Sequence, residues 1–125
     1  MCILLKFIMV IFMVGQGSSG KVYRYDGDTT WTDVGRLGTS TYVRTLAVYD
    51  GKLYGGTAMS GKVYLYDGGT TWTDVGQLGT NVAIYSLEVY NGNLYGGGSS
   101  GKVYRYDGGT TWTDVGQLGT NTNVF

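Results

Sequence analysis

The 125-residue chain has no histidine, no proline and a single cysteine, Cys2. Without histidine it lacks the commonest metal ligand and the commonest general base. One cysteine allows neither an internal disulfide nor a thiolate metal site. Nine basic residues balance nine acidic ones, so no overall field favours nucleic acid, a polyanion or an acidic membrane. The uninterrupted apolar run from Phe7 to Val14 falls short of the roughly 20 residues that a membrane-spanning helix needs. No stable membrane span and no cofactor are expected.

What the chain has is glycine, 23 residues, and tyrosine, 12 residues, in an ordered pattern. The stretch GKVYRYDGGTTWTDVGQLGT runs from Gly101 to Thr120. Near-identical stretches begin at Gly61 and Gly20, spaced by 41 and then 40 residues. A fixed period of this size marks a propeller, solenoid or array. Aromatic and β-branched residues punctuated by glycine read as short strands joined by tight turns, so the fold class is all-β.

One repeat reads as four strands. Val43 to Tyr49 is the first, Asp50-Gly51 a two-residue hairpin turn of the kind that needs positive φ, and Lys52 to Gly56 the second. Lys62 to Tyr66 is the third, Asp67 to Thr70 turns again, and the fourth runs around Thr71 to Val75. Four antiparallel strands in about 40 residues make one propeller blade. Alternation puts Leu46 and Val48 on one side of the first strand, and Val43, Ala47 and Tyr49 on the other. In the third strand, Tyr64 and Tyr66 oppose Val63 and Leu65. A sheet with one wet face would alternate apolar with polar, whereas apolar residues on both sides fit a sheet sandwiched between neighbours. Trp31, Trp72 and Trp112 are accordingly expected to pack blade against blade.

The chain divides into 1–15, an apolar segment; 16–40, half a blade; 41–80 and 81–120, two full blades; and 121–125, the start of another. The apolar segment has three readings. It is a signal peptide, which would place the protein outside the cell or at its surface. It is a degenerate strand, with Phe12 to Gly15 in the place of Asn93 to Gly96. Or the reading frame opens inside a longer repeat protein. The following GQGSSGKV, Gly15 to Val22, matches glycine-rich nucleotide-binding patterns. It leads into an alternating strand instead of a helix, and its glycines recur once per repeat, which makes it a hairpin device.

The segment from Arg105 to Trp112 resembles the Asp-box, or BNR, repeat, S-x-D-x-G-x-T-W. Asp107, Gly109, Thr111 and Trp112 fall on its fixed positions, as do Asp67, Gly69, Thr71 and Trp72. The first repeat keeps Asp26, Thr30 and Trp31 but has Asp28 in place of the glycine, and all three lack the opening serine. LAVYDGKLYGG resembles kelch-like repeats. The resemblance implies a β-propeller in which Asp26, Asp67 and Asp107 hold the turn between third and fourth strands, a task that bonds to turn N–H groups would explain.

Sialidases carry Asp-boxes, but their chemistry needs a tyrosine–glutamate pair and three clustered arginines, and Glu88 is the sole glutamate here. The expected function is non-enzymatic: a propeller segment acting as a binding or interaction module, completed by self-association or by further blades of a longer chain. The alternative is a fragment of a sialidase-like or other glycan-acting enzyme whose catalytic residues lie outside these residues. A ligand, glycan or protein, would be met at positions that vary between repeats, among them Arg44, Tyr85 and Glu88.

Overall fold

The computed structural model describes residues 2–6, 10–15, 20–38, 42–58, 61–79, 83–117 and 119. Residues 121–125, expected to open a further blade, lie outside them, as does Gly17 of the glycine-rich stretch. The described residues form twelve strands in three antiparallel four-stranded sheets, each ordered as in the sequence. The first sheet contains β1 (Cys2–Lys6), β2 (Val10–Gly15), β3 (Lys21–Gly27) and β4 (Thr30–Arg36). The second contains β5 (Val43–Tyr49), β6 (Lys52–Thr57), β7 (Lys62–Gly68) and β8 (Thr71–Gln77). The third contains β9 (Ile84–Tyr90), β10 (Asn93–Gly98), β11 (Lys102–Gly108) and β12 (Thr111–Gln117).

The first sheet therefore has four strands where the sequence reading placed half a blade, and its extra pair comes from the apolar segment. The register of that pair differs from a straight count along the repeat. Gly15 stands opposite Val22 and Met13 opposite Arg24, while Gly97 stands opposite Val103 and Tyr95 opposite Arg105. Gly15 thus takes the place of Gly97 and not of Gly96. The cause is turn length: the connection after Gly15 matches the one after Gly56, which faces Val63, and is a residue longer than that in the third repeat. A one-residue offset exchanges the two faces of a strand.

The first hairpin of each later sheet turns through Asp50 (φ 50°) and Gly51 (φ 75°), or Asn91 (φ 51°) and Gly92 (φ 82°). Two successive left-handed residues match the right-handed twist of the flanking strands.

The sheets stack face to face, with β5 beside β9 and β8 between β4 and β12. One core lies between the first and second sheets and holds Val22, Val34, Leu37, Leu46, Leu53 and Tyr64. The other lies between the second and third and holds Val63, Val75, Leu78, Leu87, Leu94 and Tyr104. Both faces of the second sheet are therefore buried, which explains its lack of polar alternation. Val43 departs from the expected face: it joins Leu46 in the first core, because an irregularity between Val43 and Thr45 shifts the register against β6. An extra residue in one strand re-aims the side chains beyond it.

Close approach is made possible by glycine in β6 and β10. A Cβ on Gly55 would stand 2.6 Å from Leu37 Cδ2, and one on Gly96 would stand 2.6 Å from Leu78 Cδ2. Each of these leucines follows the last strand of the preceding sheet and fills the space that the glycine leaves. The indoles of Trp72 and Trp112 bridge the same junctions, donating through Nε1 to the carbonyls of Val34 and Val75 at 2.9 Å. Trp31, on the outer face of the first sheet, is 42% exposed. The three sheets do not close into a ring. No helix among the described residues is long and apolar enough to cross a membrane.

Candidate functional site

The β3–β4, β7–β8 and β11–β12 hairpins are held by side chains that recur in each repeat. Asp26, Asp67 and Asp107 accept hydrogen bonds from the hydroxyls of Thr32, Thr73 and Thr113. Arg24 and Arg105 donate through Nε to Asp26 and Asp107 at 2.9 and 3.0 Å. The threonine bond, followed by the arginine bond, holds the Asp26 and Asp107 carboxyls below the usual carboxylate range. Backbone N–H groups are bonded instead by aspartates two positions beyond each tryptophan. Asp33, Asp74 and Asp114 accept from the N–H of Gly35, Gly76 and Gly116 at 2.8–2.9 Å. They also pair with Lys21, Lys62 and Lys102. The signal for this device was the recurring Thr-Asp-Val-Gly that follows each tryptophan. At the hairpin tip, Gly69 and Gly109 are left-handed at φ 58°, and Asp28 takes the same conformation at φ 50°, which aspartate tolerates. These are scaffolding contacts.

Of the three variable positions, two meet. The Arg44 guanidinium lies 5.3 Å from the centre of the Tyr85 ring, a cation–π contact between neighbouring sheets. Glu88 is exposed and stands where Ala47, its equivalent in β5, enters the core.

A cleft of about 510 Å³ opens between the second and third sheets. The β5–β6 hairpin contributes Tyr49, Asp50, Lys52 and Tyr54; the third sheet contributes Asn93, Tyr106 and Asp107. Its floor is a cluster of three rings. Tyr54 lies 5.7 Å from Tyr106 at 64°, and Tyr49 lies 6.0 Å from Tyr54 and 6.5 Å from Tyr106. The Tyr106 hydroxyl is used within the fold, donating to the Gly109 carbonyl at 2.9 Å. The Tyr54 hydroxyl is not: Tyr54 is 4% exposed and makes no hydrogen bond with the described residues. A buried hydroxyl without a partner is uncommon and costs on the order of 1–3 kcal/mol.

Burial, aided by neighbouring tyrosines and Asp50, pushes the Tyr54 phenol up to about 12. Its folded-state value is thus above that of the unfolded chain, so the stability it contributes is complete below pH ~10 and is lost as pH rises through its folded value. In an alkaline titration followed by phenolate absorbance, one tyrosine should ionise late, near pH 12. That late step should vanish in Tyr54→Phe. A Tyr54→Phe titration with the late step intact would assign it elsewhere.

The sequence reading missed Tyr49, Tyr54 and Tyr106 as a group. Each looks like ordinary core tyrosine in its own strand, and Tyr106 comes from a different repeat than Tyr49 and Tyr54. At the first junction the register position of Tyr54 is held by Met13. In comparisons with known proteins, the family model of the DUF6242 beta propeller domain matches residues 6–125. None of the curated proteins compared with the chain matches it.

Proposed function

We propose, for a chain that belongs to the DUF6242 beta propeller family, the role of a non-catalytic binding module whose ligand sits in the tyrosine cleft between the second and third sheets. The observation that carries this reading is the Tyr54 hydroxyl, buried at the base of the cleft without a partner among the described residues. The lining also indicates the ligand class. Lys52 shares the lining with two carboxylates, Asp50 and Asp107, a mixture that suits a neutral ligand better than an anion. Aromatic rings supply apolar surface, while the carboxylates and the Asn93 amide can accept or donate to several hydroxyls. A polyhydroxylated ligand, a glycan, fits this set.

The test is a panel of soluble saccharides titrated against the chain by calorimetry, with Tyr54→Phe as the matched variant. Losing one hydroxyl bond from an intact cleft should weaken binding by roughly 2–10-fold, and a bound saccharide should alter the late tyrosine ionisation. Absence of binding across the panel, or equal binding by Tyr54→Phe, overturns this assignment.

A further inference from the structure

The two end faces of the stack repeat parts of the junction that the chain builds twice inside itself. At each internal junction the leading sheet presents two valines, a leucine and two glycines. The following sheet presents a tyrosine, a tryptophan and a threonine carbonyl. Val34 and Val75 are 1% and 5% exposed there. Gly35 and Gly76 give room to the carbonyls of Thr70 and Thr110, and Gly38 and Gly79 to the hydroxyls of Tyr64 and Tyr104.

In the third sheet Val115, Gly116 and Gly119 stand in the places of Val75, Gly76 and Gly79 with no described residue packed against them. Val115 is 45% exposed, and a Cβ on Gly116 or Gly119 would meet nothing within 4 Å. The first sheet repeats the β-hairpin part of the following face: Tyr23, Thr29 and Trp31 stand in the positions of Tyr64, Thr70 and Trp72, and Trp31 is 42% exposed, while in β2 Val14 takes the place that Gly55 holds in β6. Gly20 to Thr39 differs from Gly101 to Thr120 only at Asp28 and Arg36, neither of which belongs to the described cores.

We infer that a second copy of this chain docks head to tail, the third sheet of one copy seating the first sheet of the next. The Trp31 indole of one copy would then face the Val115 carbonyl of the other, as Trp72 faces Val34. Such an interface is heterologous, so it closes into a ring when the rotation allows it. Two copies bring six sheets, within the range of about four to eight blades of closed propellers. The docking also completes a second tyrosine cleft. Tyr90 and Tyr95 on the open face, 6.4 Å apart, repeat Tyr49 and Tyr54, and Tyr25 and Asp26 of the next copy would supply the places of Tyr106 and Asp107. The role of that second cleft rests on the ligand reading above; the docking does not.

The experiment is light scattering on the full chain, with three variants. Gly116→Ala puts a methyl into the leading face, Trp31→Ala empties the following face, and Gly108→Ala, at a similar φ (104° against 116°) with no neighbour, controls for backbone strain. The wild type and Gly108→Ala should associate into discrete species of two or more chains. Gly116→Ala and Trp31→Ala should each be monomeric with β circular dichroism retained. Mixed in equal amounts they should form a dimer, because each keeps the face that the other lacks. A wild type that stays monomeric at every concentration, as when the face belongs to a further blade of the same polypeptide, overturns the proposal. Association of Gly116→Ala equal to that of Gly108→Ala does so too. Should Gly116→Ala lose its β spectrum, Trp31→Ala alone decides: association unchanged from wild type overturns the inference.

Discussion

Gly76→Ala should be among the most damaging single substitutions in the chain, lowering stability by roughly 3–5 kcal/mol. Two effects combine at this position. Its φ of 111° lies where a side chain is strained, a cost on the order of 1–3 kcal/mol. In addition, the new Cβ would stand 2.5 Å from the Thr110 carbonyl oxygen in the third sheet. That neighbour is backbone of a paired hairpin, so relief requires the two sheets to part. Gly108→Ala isolates the first effect, since at φ 104° it meets nothing within 4 Å; it should cost only ~1–2 kcal/mol. Urea midpoints for both variants make the comparison. Equal losses would mean that the junction yields to the extra methyl, and that the glycine serves backbone conformation alone.

The second large effect is a loss with a built-in rescue. Leu78 is fully buried between the second and third sheets, and Leu78→Ala should cost about 2–5 kcal/mol through lost contact and a cavity. Gly96→Ala should cost roughly 1–3 kcal/mol by overpacking, because its Cβ would stand 2.6 Å from Leu78 Cδ2 and 3.1 Å from Leu87 Cδ2. Gly96 lies outside the left-handed region, so alanine is conformationally acceptable there. Together the two changes exchange atoms across one space, and the double variant should be more stable than the sum of the single losses by on the order of 1–3 kcal/mol. Strict additivity in a thermal or urea double-mutant cycle would contradict the interlocking of leucine and glycine across the junction.

The repeat, the four strands of each later sheet and their hairpin turns were legible because they rest on local signals. Asp50-Gly51 and Asn91-Gly92 announce left-handed turns without reference to anything distant, and the two-sided apolar strands announce burial on both faces. The register of β2 was not legible by counting, because the turn length after Gly15 differs from that of the repeat used as ruler. Val43 was misassigned because a bulge has no signature in an alternation pattern. The recurring turn aspartates were visible, but their partners were not: threonine hydroxyls take Asp26, Asp67 and Asp107, while the backbone bonds fall to Asp33, Asp74 and Asp114. The cleft was hidden for a different reason. Tyr49 and Tyr54 share a hairpin, but Tyr106 comes from the next repeat, and only the stacking of sheets brings it to them. Reading one repeat at a time cannot show a site whose two walls belong to different repeats.

The near-identity of the junctions has a consequence for heredity. Gly61 to Thr80 and Gly101 to Thr120 differ at one position, Leu65 against Arg105. A gene that gains or loses one whole repeat between them by unequal crossing-over therefore leaves each surviving junction with nearly the same partners it had before. Chain length can drift under such events while the fit between successive sheets is inherited almost unchanged, so selection acts separately on how many sheets there are and on how they meet.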